Sequence, residues 1–312
     1  MRTPPPAGPR PSRRQLSSAL LLAGLLGGCF TSTEGEPPPT DELYFPVGLS
    51  LFGETPDGPA FLAVANSDYD LHYNSGNVFV LDAARIRQLV PRPCAVDEQC
   101  AGLDAEGNDG VCDKTPNEAN QNAPSFTCIS APDVDPCPGG RRRSAADRSL
   151  YPGRCEYQPI DAAMRRSVKR IGAFATDVLY QSNTNPNDAS KMGRLFIPVR
   201  GDATLHWIDV DSLGNLNCGD DDGACDDFHR VGDDPDEENS RDLRLDPEPF
   251  ALAASAEGPA IVVTNRTTGK VSLFVNDWET RPTLKHALEG LPAYPVGIAA
   301  LPAPALVPAL QA

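Results

Sequence analysis

The chain has 312 residues, with 27 basic and 43 acidic side chains and a formal net charge of −16. The composition, with 32 Pro and 26 Gly, excludes a collagen-like chain, a coiled coil and a polytopic membrane protein. The acidic balance speaks against nucleic acid as a partner, which calls for a basic surface, and the length admits one large domain or two ordinary ones.

Residues 1–28 carry Arg2, Arg10, Arg13 and Arg14, no acid, and an apolar run from Ala19 to Leu26. The run is shorter than the ~20 apolar residues of a membrane span, so 1–28 read as a secretory signal peptide. The run ends in Leu26-Gly27-Gly28-Cys29, which resembles the bacterial lipobox. The resemblance implies cleavage before Cys29, a diacylglycerol in thioether linkage on its sulfur, and an acylated amine. Acyl chains at ~0.8 kcal/mol per buried CH2 would anchor the chain to a membrane. Phe30 follows the cysteine, which by resemblance to enterobacterial sorting points to the outer membrane. Taking four arginines from the 27 basic residues leaves 23 against 43 acidic ones, a net of −20. Residues 29–43 read as the lipidated Cys and a Pro-rich, flexible tether.

Eight further cysteines remain: Cys94, Cys100, Cys112, Cys128, Cys137, Cys155, Cys218 and Cys225. An even number in an exported chain points to disulfides. Six lie in 90–158, a Pro-, Gly-, Asn- and Asp-rich stretch too poor in apolar residues to build a core without cross-links. Their pairing is open, since six Cys allow 15 connectivities. Cys218 and Cys225 are seven apart and should close a small loop. With no Cys-x2-Cys pair and only four His, a zinc site is not expected.

The remainder reads as short strands in chain order: Phe61–Asn66, Asn77–Asp82, Arg194–Val199, Thr204–Asp209, Ala260–Asn265 and Lys270–Val275. Each is a β-branched or aromatic run bounded by turn residues. The runs recur in one internal order. Phe45-Pro-Val-Gly-Leu precedes the first pair, Gly172-Ala-Phe-Ala-Thr the second and Glu248-Pro-Phe-Ala-Leu-Ala the third. A fourth unit begins at Ala293-Tyr-Pro-Val-Gly-Ile-Ala. Pro249 and Pro295 are 46 residues apart, within the ~40–50 of a four-stranded propeller blade. Val263-Thr264-Asn265 with Gly269-Lys-Val resembles the YVTN family of β-propeller repeats, over 44–82 and 171–301. The resemblance implies an all-β, partial or open propeller of three to four blades. Blade one is expected at 44–89 and the others at 159–301, ahead of a Pro/Ala-rich tail, 302–312. Propellers close with four to eight blades, so the chain reads as truncated relative to its relatives, or as closing by association through a sticky blade edge.

Two insertions interrupt the blades. The Cys-rich one is followed by Ile160, Met164, Val168 and Ile171 at helical spacing, which predicts an amphipathic helix docking on the first blades. The second, 218–248, holds 13 acidic and three basic residues. Its Asp220, Asp221, Asp222, Asp226 and Asp227 are candidate calcium ligands, because hard cations take several oxygens; the alternative is a solvated acidic loop. No other cofactor is expected. Residues 141–170 carry nine basic and three acidic side chains, so the acidic loop has a possible electrostatic partner. His206 sits in a strand pattern and reads as a packed residue, and Asp68, Asp70 and His72 read as a polar loop.

No nucleophile elbow or metal-binding His pair is present. The expected role is therefore a lipid-anchored envelope protein with a non-catalytic binding or scaffolding surface for protein or glycan. The alternatives are a lactonase-like or quinone-dependent propeller enzyme, as the family resemblance implies, and a truncated, inactive fragment.

Overall fold

The structure, a computed structural model, describes residues 35–56, 58–89, 94–101, 110–113, 127–129, 160, 164–185, 188–219, 223–233, 243–255, 258–292 and 294–300. Every strand lies in the compact unit that begins at Pro37. In chain order the elements are β1 (Pro46–Thr55), β2 (Gly58–Asn66), β3 (Gly76–Asp82), helix α1 (Ala83–Leu89), β4 (Val111–Asp113), β5 (Thr127–Ile129) and β6 (Arg165–Ile171). Then come β7 (Leu179–Ser182), β8 (Gly193–Val199), β9 (Thr204–Val210), β10 (Leu216–Asn217) and β11 (Arg230–Val231), followed by β12 (Pro249–Ala254), β13 (Ala260–Asn265), β14 (Lys270–Val275) and β15 (Thr283–Leu288).

These strands make three antiparallel blades among the described residues. The first has the order β1-β2-β3-β6. The second runs β7-β8-β9, with β10 and β11 both on the free edge of β9. The third is β12-β13-β14-β15. The chain is thus an all-β partial propeller, and all six runs read as strands are strands.

Parity along the central strands builds the core. In β9, Ile208 and Val210 join Val78, Val80 and Leu195 against the first blade, while Leu205 and Trp207 join Ile261, Val263 and Phe274 against the third. Every residue of β8 and β9 is buried, because the middle blade is covered on both faces. Fully burying an aromatic such as Phe274 or Phe196 contributes about 1.5–3 kcal/mol each.

The first strands of successive blades meet at close range. A Cβ on Gly48 would stand 2.5 Å from the Val178 amide nitrogen. Ser50 Oγ accepts from the Tyr180 amide at 3.0 Å, and Asp177 Oδ2 accepts from the Leu252 amide at 3.2 Å. A left-handed residue recurs at the start of each unit: Phe45 (φ 43°) and Glu248 (57°) directly before β1 and β12, Phe174 (62°) five residues before β7, and Tyr294 (64°) in the fourth unit. Such a conformation costs on the order of 1–3 kcal/mol per non-Gly residue. Repeated backbone bonds hold it in place. The amides of Ser67, Arg200 and Arg266 donate to the carbonyls of Phe45, Phe174 and Glu248, and those of Phe174 and Tyr294 donate to Ser67 and Arg266. The fourth unit therefore starts with the same geometry as the first three.

Three expectations change. Residues 165–171 form strand β6, not part of a helix. The unpaired edge of β3 supplies a row of donors and acceptors from Gly76 to Leu81 that this segment fills. Ile160, Met164 and Val168 do dock on the first blade, against Val64, Phe79 and Leu81, while Ile171 turns to the other face. The Cys-rich insertion consequently lies inside the first blade, between its third and fourth strands, and that blade extends past residue 89 to Ile171. The end of the tether is pinned as well: Pro38 is buried, the Pro39 carbonyl accepts from Asn77 Nδ2 at 2.8 Å, and the Thr40 carbonyl accepts from Arg165.

The disulfides Cys94–Cys112 and Cys100–Cys128 interleave around the β4-β5 hairpin, and Cys218–Cys225 closes the predicted small loop. Cys137, Cys155, Cys29, the signal segment and the tail fall outside the described residues. No described helix is long and apolar enough to cross a membrane.

Candidate functional site

Strand starts and turns of the first two blades converge at one end of the propeller. There the β2–β3 loop, the end of β6, the β8–β9 turn and the Cys218–Cys225 loop enclose an open cleft of about 230 Å³. His206 reaches it because even positions of β9 face the first blade. Gly172 makes room: a Cβ there would lie 2.7 Å from Val199 Cγ1, 3.0 Å from Asp202 Oδ2 and 3.4 Å from His206 Nε2.

His206 is only 4% exposed, and neither ring nitrogen makes a hydrogen bond within the protein. Nε2 stands 3.5 Å from Asp202 Oδ2, an ion-pair distance without hydrogen-bond alignment. Thr204 Oγ1 donates to Asp202 Oδ1 at 2.6 Å. Burial pushes the Asp202 carboxyl up, but the His206 and Thr204 side chains outweigh it and hold the group below the usual carboxylate range.

The disulfide loop forms the opposite wall. The Arg170 amide donates to the Gly223 carbonyl at 2.8 Å and the Cys225 amide donates to the Arg170 carbonyl at 3.0 Å, so the loop adds to the edge of β6. The acidic loop thus docks on the basic strand through backbone bonds, not through surface charge alone. Asp226 Oδ1 accepts from the His229 amide at 3.1 Å and lies 2.6 Å from His229 Nδ1. Asp227 pairs with Arg230 at 3.1 Å.

Of the candidate calcium ligands, Asp226 and Asp227 are each engaged by a neighbouring basic side chain, and Asp220, Asp221 and Asp222 lie outside the described residues. Among the described residues, the set of ligating atoms brought within 4.8 Å is the sulfurs of Cys94, Cys100 and Cys128. All three are in disulfides, so they offer no thiolate to a metal.

Closer to the first strands, Phe45, Tyr69 and Phe174 form an aromatic row, with centroids 6.5 and 6.3 Å apart. Phe45 and Tyr69 are exposed. Beneath them burial pushes the Asp68 carboxyl up; Oδ1 accepts from the Tyr73 amide at 2.9 Å and Oδ2 has no partner. Asp70 and His72 remain an exposed polar loop, as read.

Sequence reasoning passed over Gly172 and Arg170, whose roles arise only from packing between blades, and Asp202, which lies four residues before His206 in the β8–β9 hairpin. It also passed over Arg194, whose side chain is 1% exposed and bonded to Asp209 at 2.6 Å. That pair was legible, because Arg194 and Asp209 are direct cross-strand partners of the β8-β9 hairpin.

No family model matches the chain, and no curated protein matches it. Among solved structures, a protein from Lactobacillus plantarum is similar at 11% identity and a TM-score of 0.27, over 80% of this chain and 57% of its own. A candidate 6-phosphogluconolactonase from Bacteroides fragilis is similar at 16% identity and a TM-score of 0.29, over 85% of this chain and 60% of its own. The chain thus spans less than two thirds of either protein, and the fold assignment rests on its own blade topology.

Proposed function

We propose that the chain is a lipid-anchored envelope protein whose propeller presents a non-catalytic binding surface at the end where the cleft opens. The lipobox-like Leu26–Cys29 and the YVTN-like repeats support the address and the scaffold. His206 carries the reading of the surface. Its Nδ1 has no partner and its Nε2 meets only the misaligned Asp202 carboxylate at 3.5 Å, and a buried polar atom that forgoes its hydrogen bond with water costs about 1–3 kcal/mol. A purely structural position would have gained by losing it. The test needs no ligand: in an Asp202→Asn background, where the carboxylate that the imidazole holds down is gone, His206→Leu should leave stability unchanged or raise it by up to about 1 kcal/mol, in the manner of functional residues that work against stability. Urea unfolding midpoints measure this, and a loss beyond about 1 kcal/mol would make His206 a structural core residue instead.

The His206–Asp202 pair also favours a second reading, a hydrolase of the lactonase type, since a carboxylate beside an imidazole is a general-base arrangement. Hydrolysis of a sugar lactone by the native chain, lost in His206→Leu, would replace the binding reading with this one.

A further inference from the structure

We infer that two copies of this chain close head to tail into one ring, the outer face of the first blade in each copy packing on the outer face of the third blade in the other. Both faces are bare in the single chain, and both are apolar. On β1, Gly48, Ser50 and Phe52 turn to the second blade, so Val47, Leu49 and Leu51 point the opposite way. Leu49 and Leu51 are 66% and 61% exposed. On the third blade, Ile261, Val263 and Phe274 turn to the second blade, which leaves Val262, Val271 and Leu273 half-buried and Leu288 exposed on the far side. A sheet with one wet face alternates apolar and polar residues, whereas β13 reads Ile261-Val262-Val263 and β14 reads Leu273-Phe274-Val275. The middle blade, covered on both faces, shows the outcome such strands call for, with every residue of β8 and β9 buried.

The two junctions inside the chain show what fits these faces. Counted from the left-handed residue of each unit, the third residue of one unit meets the amide of the fourth in the next. Gly48 meets the Val178 amide by close approach, and Asp177 meets the Leu252 amide by a hydrogen bond. The fifth meets the sixth likewise, Ser50 Oγ accepting from the Tyr180 amide. In the fourth unit the third place is Gly297, where a Cβ would meet no described atom within 4 Å, and Tyr294 and Val296 beside it are exposed. Pro295-Val296-Gly297 repeats Pro46-Val47-Gly48, and neither glycine is left-handed, so space for a neighbouring backbone is what calls for glycine there. The matching fourth place in the first unit is Leu49, and among the described residues no unit precedes it. Gly297 of one copy and Leu49 of the other are thus the two halves of one more junction. Each copy carries one half of each kind, so two copies make both junctions at once and close with twofold symmetry. Three blades from each copy make six, within the four to eight of closed propellers.

Sedimentation velocity of the full chain over a range of concentrations tests this. The expected assembly is a dimer and nothing larger. Leu49→Asp and Gly297→Val should each weaken dimerisation by about tenfold or more, one by placing a charge in an apolar junction and the other by filling the space a backbone needs. At dilutions where the chain is a monomer, neither should move the urea midpoint, because both sites are open in the single chain. Leu213→Asp, at an exposed residue of the β9–β10 turn, should leave dimerisation unchanged. An equal mixture of the Leu49→Asp and Gly297→Val chains regains one junction with both halves intact, so it should dimerise more tightly than either variant alone. A monomer at every concentration, or a dimer that both variants leave intact, would overturn the inference. Weakened dimers with no gain on mixing would overturn it in favour of like-against-like pairing, and open-ended polymers would overturn the closed ring.

Discussion

The Arg194 guanidinium shows how much one side chain can tie together. Nε donates to Asp209 at 2.6 Å. Nη1 donates to Asn276 Oδ1, the Asp277 carbonyl and the Thr280 carbonyl, and Nη2 donates to the Trp278 carbonyl. The group also lies over the Trp207 ring at 4.3 Å and the Trp278 ring at 5.3 Å. It therefore joins the second blade to the β14–β15 loop of the third. Arg194→Met should destabilise by about 3–5 kcal/mol, because it leaves buried acceptors unpaired and Asp209 with Lys191 alone, at 2.9 Å; chemical denaturation measures the loss. Glycine offers a sharper contrast. Gly48 and Gly297 occupy the same place in Pro-Val-Gly, but Gly48 faces the Val178 amide at 2.5 Å and Gly297 faces no described atom within 4 Å. Gly48→Ala should cost about 1–3 kcal/mol by overpacking. Gly297→Ala should stay within about 0.5 kcal/mol, and unfolding midpoints of the two variants compare them directly.

The Cys218–Cys225 loop is an element that works through its neighbours. It splits the fourth strand of the second blade into β10 and β11, places Ala224 in a bridge with Arg170, and walls the cleft. Gly219 (φ 98°) allows the tight turn, since a Cβ there would sit 1.9 Å from Asp226 Oδ2. Replacing both cysteines by serine should cost roughly 2 kcal/mol from loop entropy. Hydrogen exchange should locate the loss: the Arg170 amide, bonded to the Gly223 carbonyl, should exchange faster while amides of β13 and β14 hold. Uniform acceleration across all blades would show that the loop supports the whole fold and not the cleft alone.

Across the molecule, carboxylates pull the pH dependence in two directions. Asp202 and Asp211 are held below the ordinary range. For both, burial pushes up but is outweighed, by His206 and Thr204 at Asp202 and by Asn215 at Asp211. Their contribution to stability is present above the unfolded-state carboxylate pKa and is lost as pH falls through their lower folded values. Asp68 and Asp177 are pushed up by burial, so their ionised forms cost stability at neutral pH, and the cost is relieved as pH falls through their raised values. The chain's net charge of −16 adds self-repulsion that mild acid also reduces. Stability should therefore hold or rise on first acidification and fall only below the ordinary carboxylate range. In Asp177→Asn the early rise should shrink, as read from urea midpoints against pH. A steady decline from neutrality in the native chain would contradict this balance.

Local pattern alone determined six strands, from Phe61–Asn66 to Lys270–Val275, and their threefold order. An apolar run closed by Asn, Asp or Gly is a short-range signal that needs no partner to be read. The small disulfide loop at 218–225 was legible for the same reason. Tertiary structure decided the outer strands. β6 carries Arg165, Arg166, Lys169 and Arg170 and shows helical spacing, yet the open edge of β3 makes it a strand; the split β10/β11 and β15 likewise arise from edges waiting to be paired. It also decided which cysteines join, because pairing depends on which backbones approach. The cleft belongs largely to this second kind. Nothing near His206 in the chain announces Gly172 or Arg170 as neighbours, since they meet only where strand parity turns one face of the second blade toward the first; Asp202, four residues away in the turn that feeds β9, is the one local neighbour of the three.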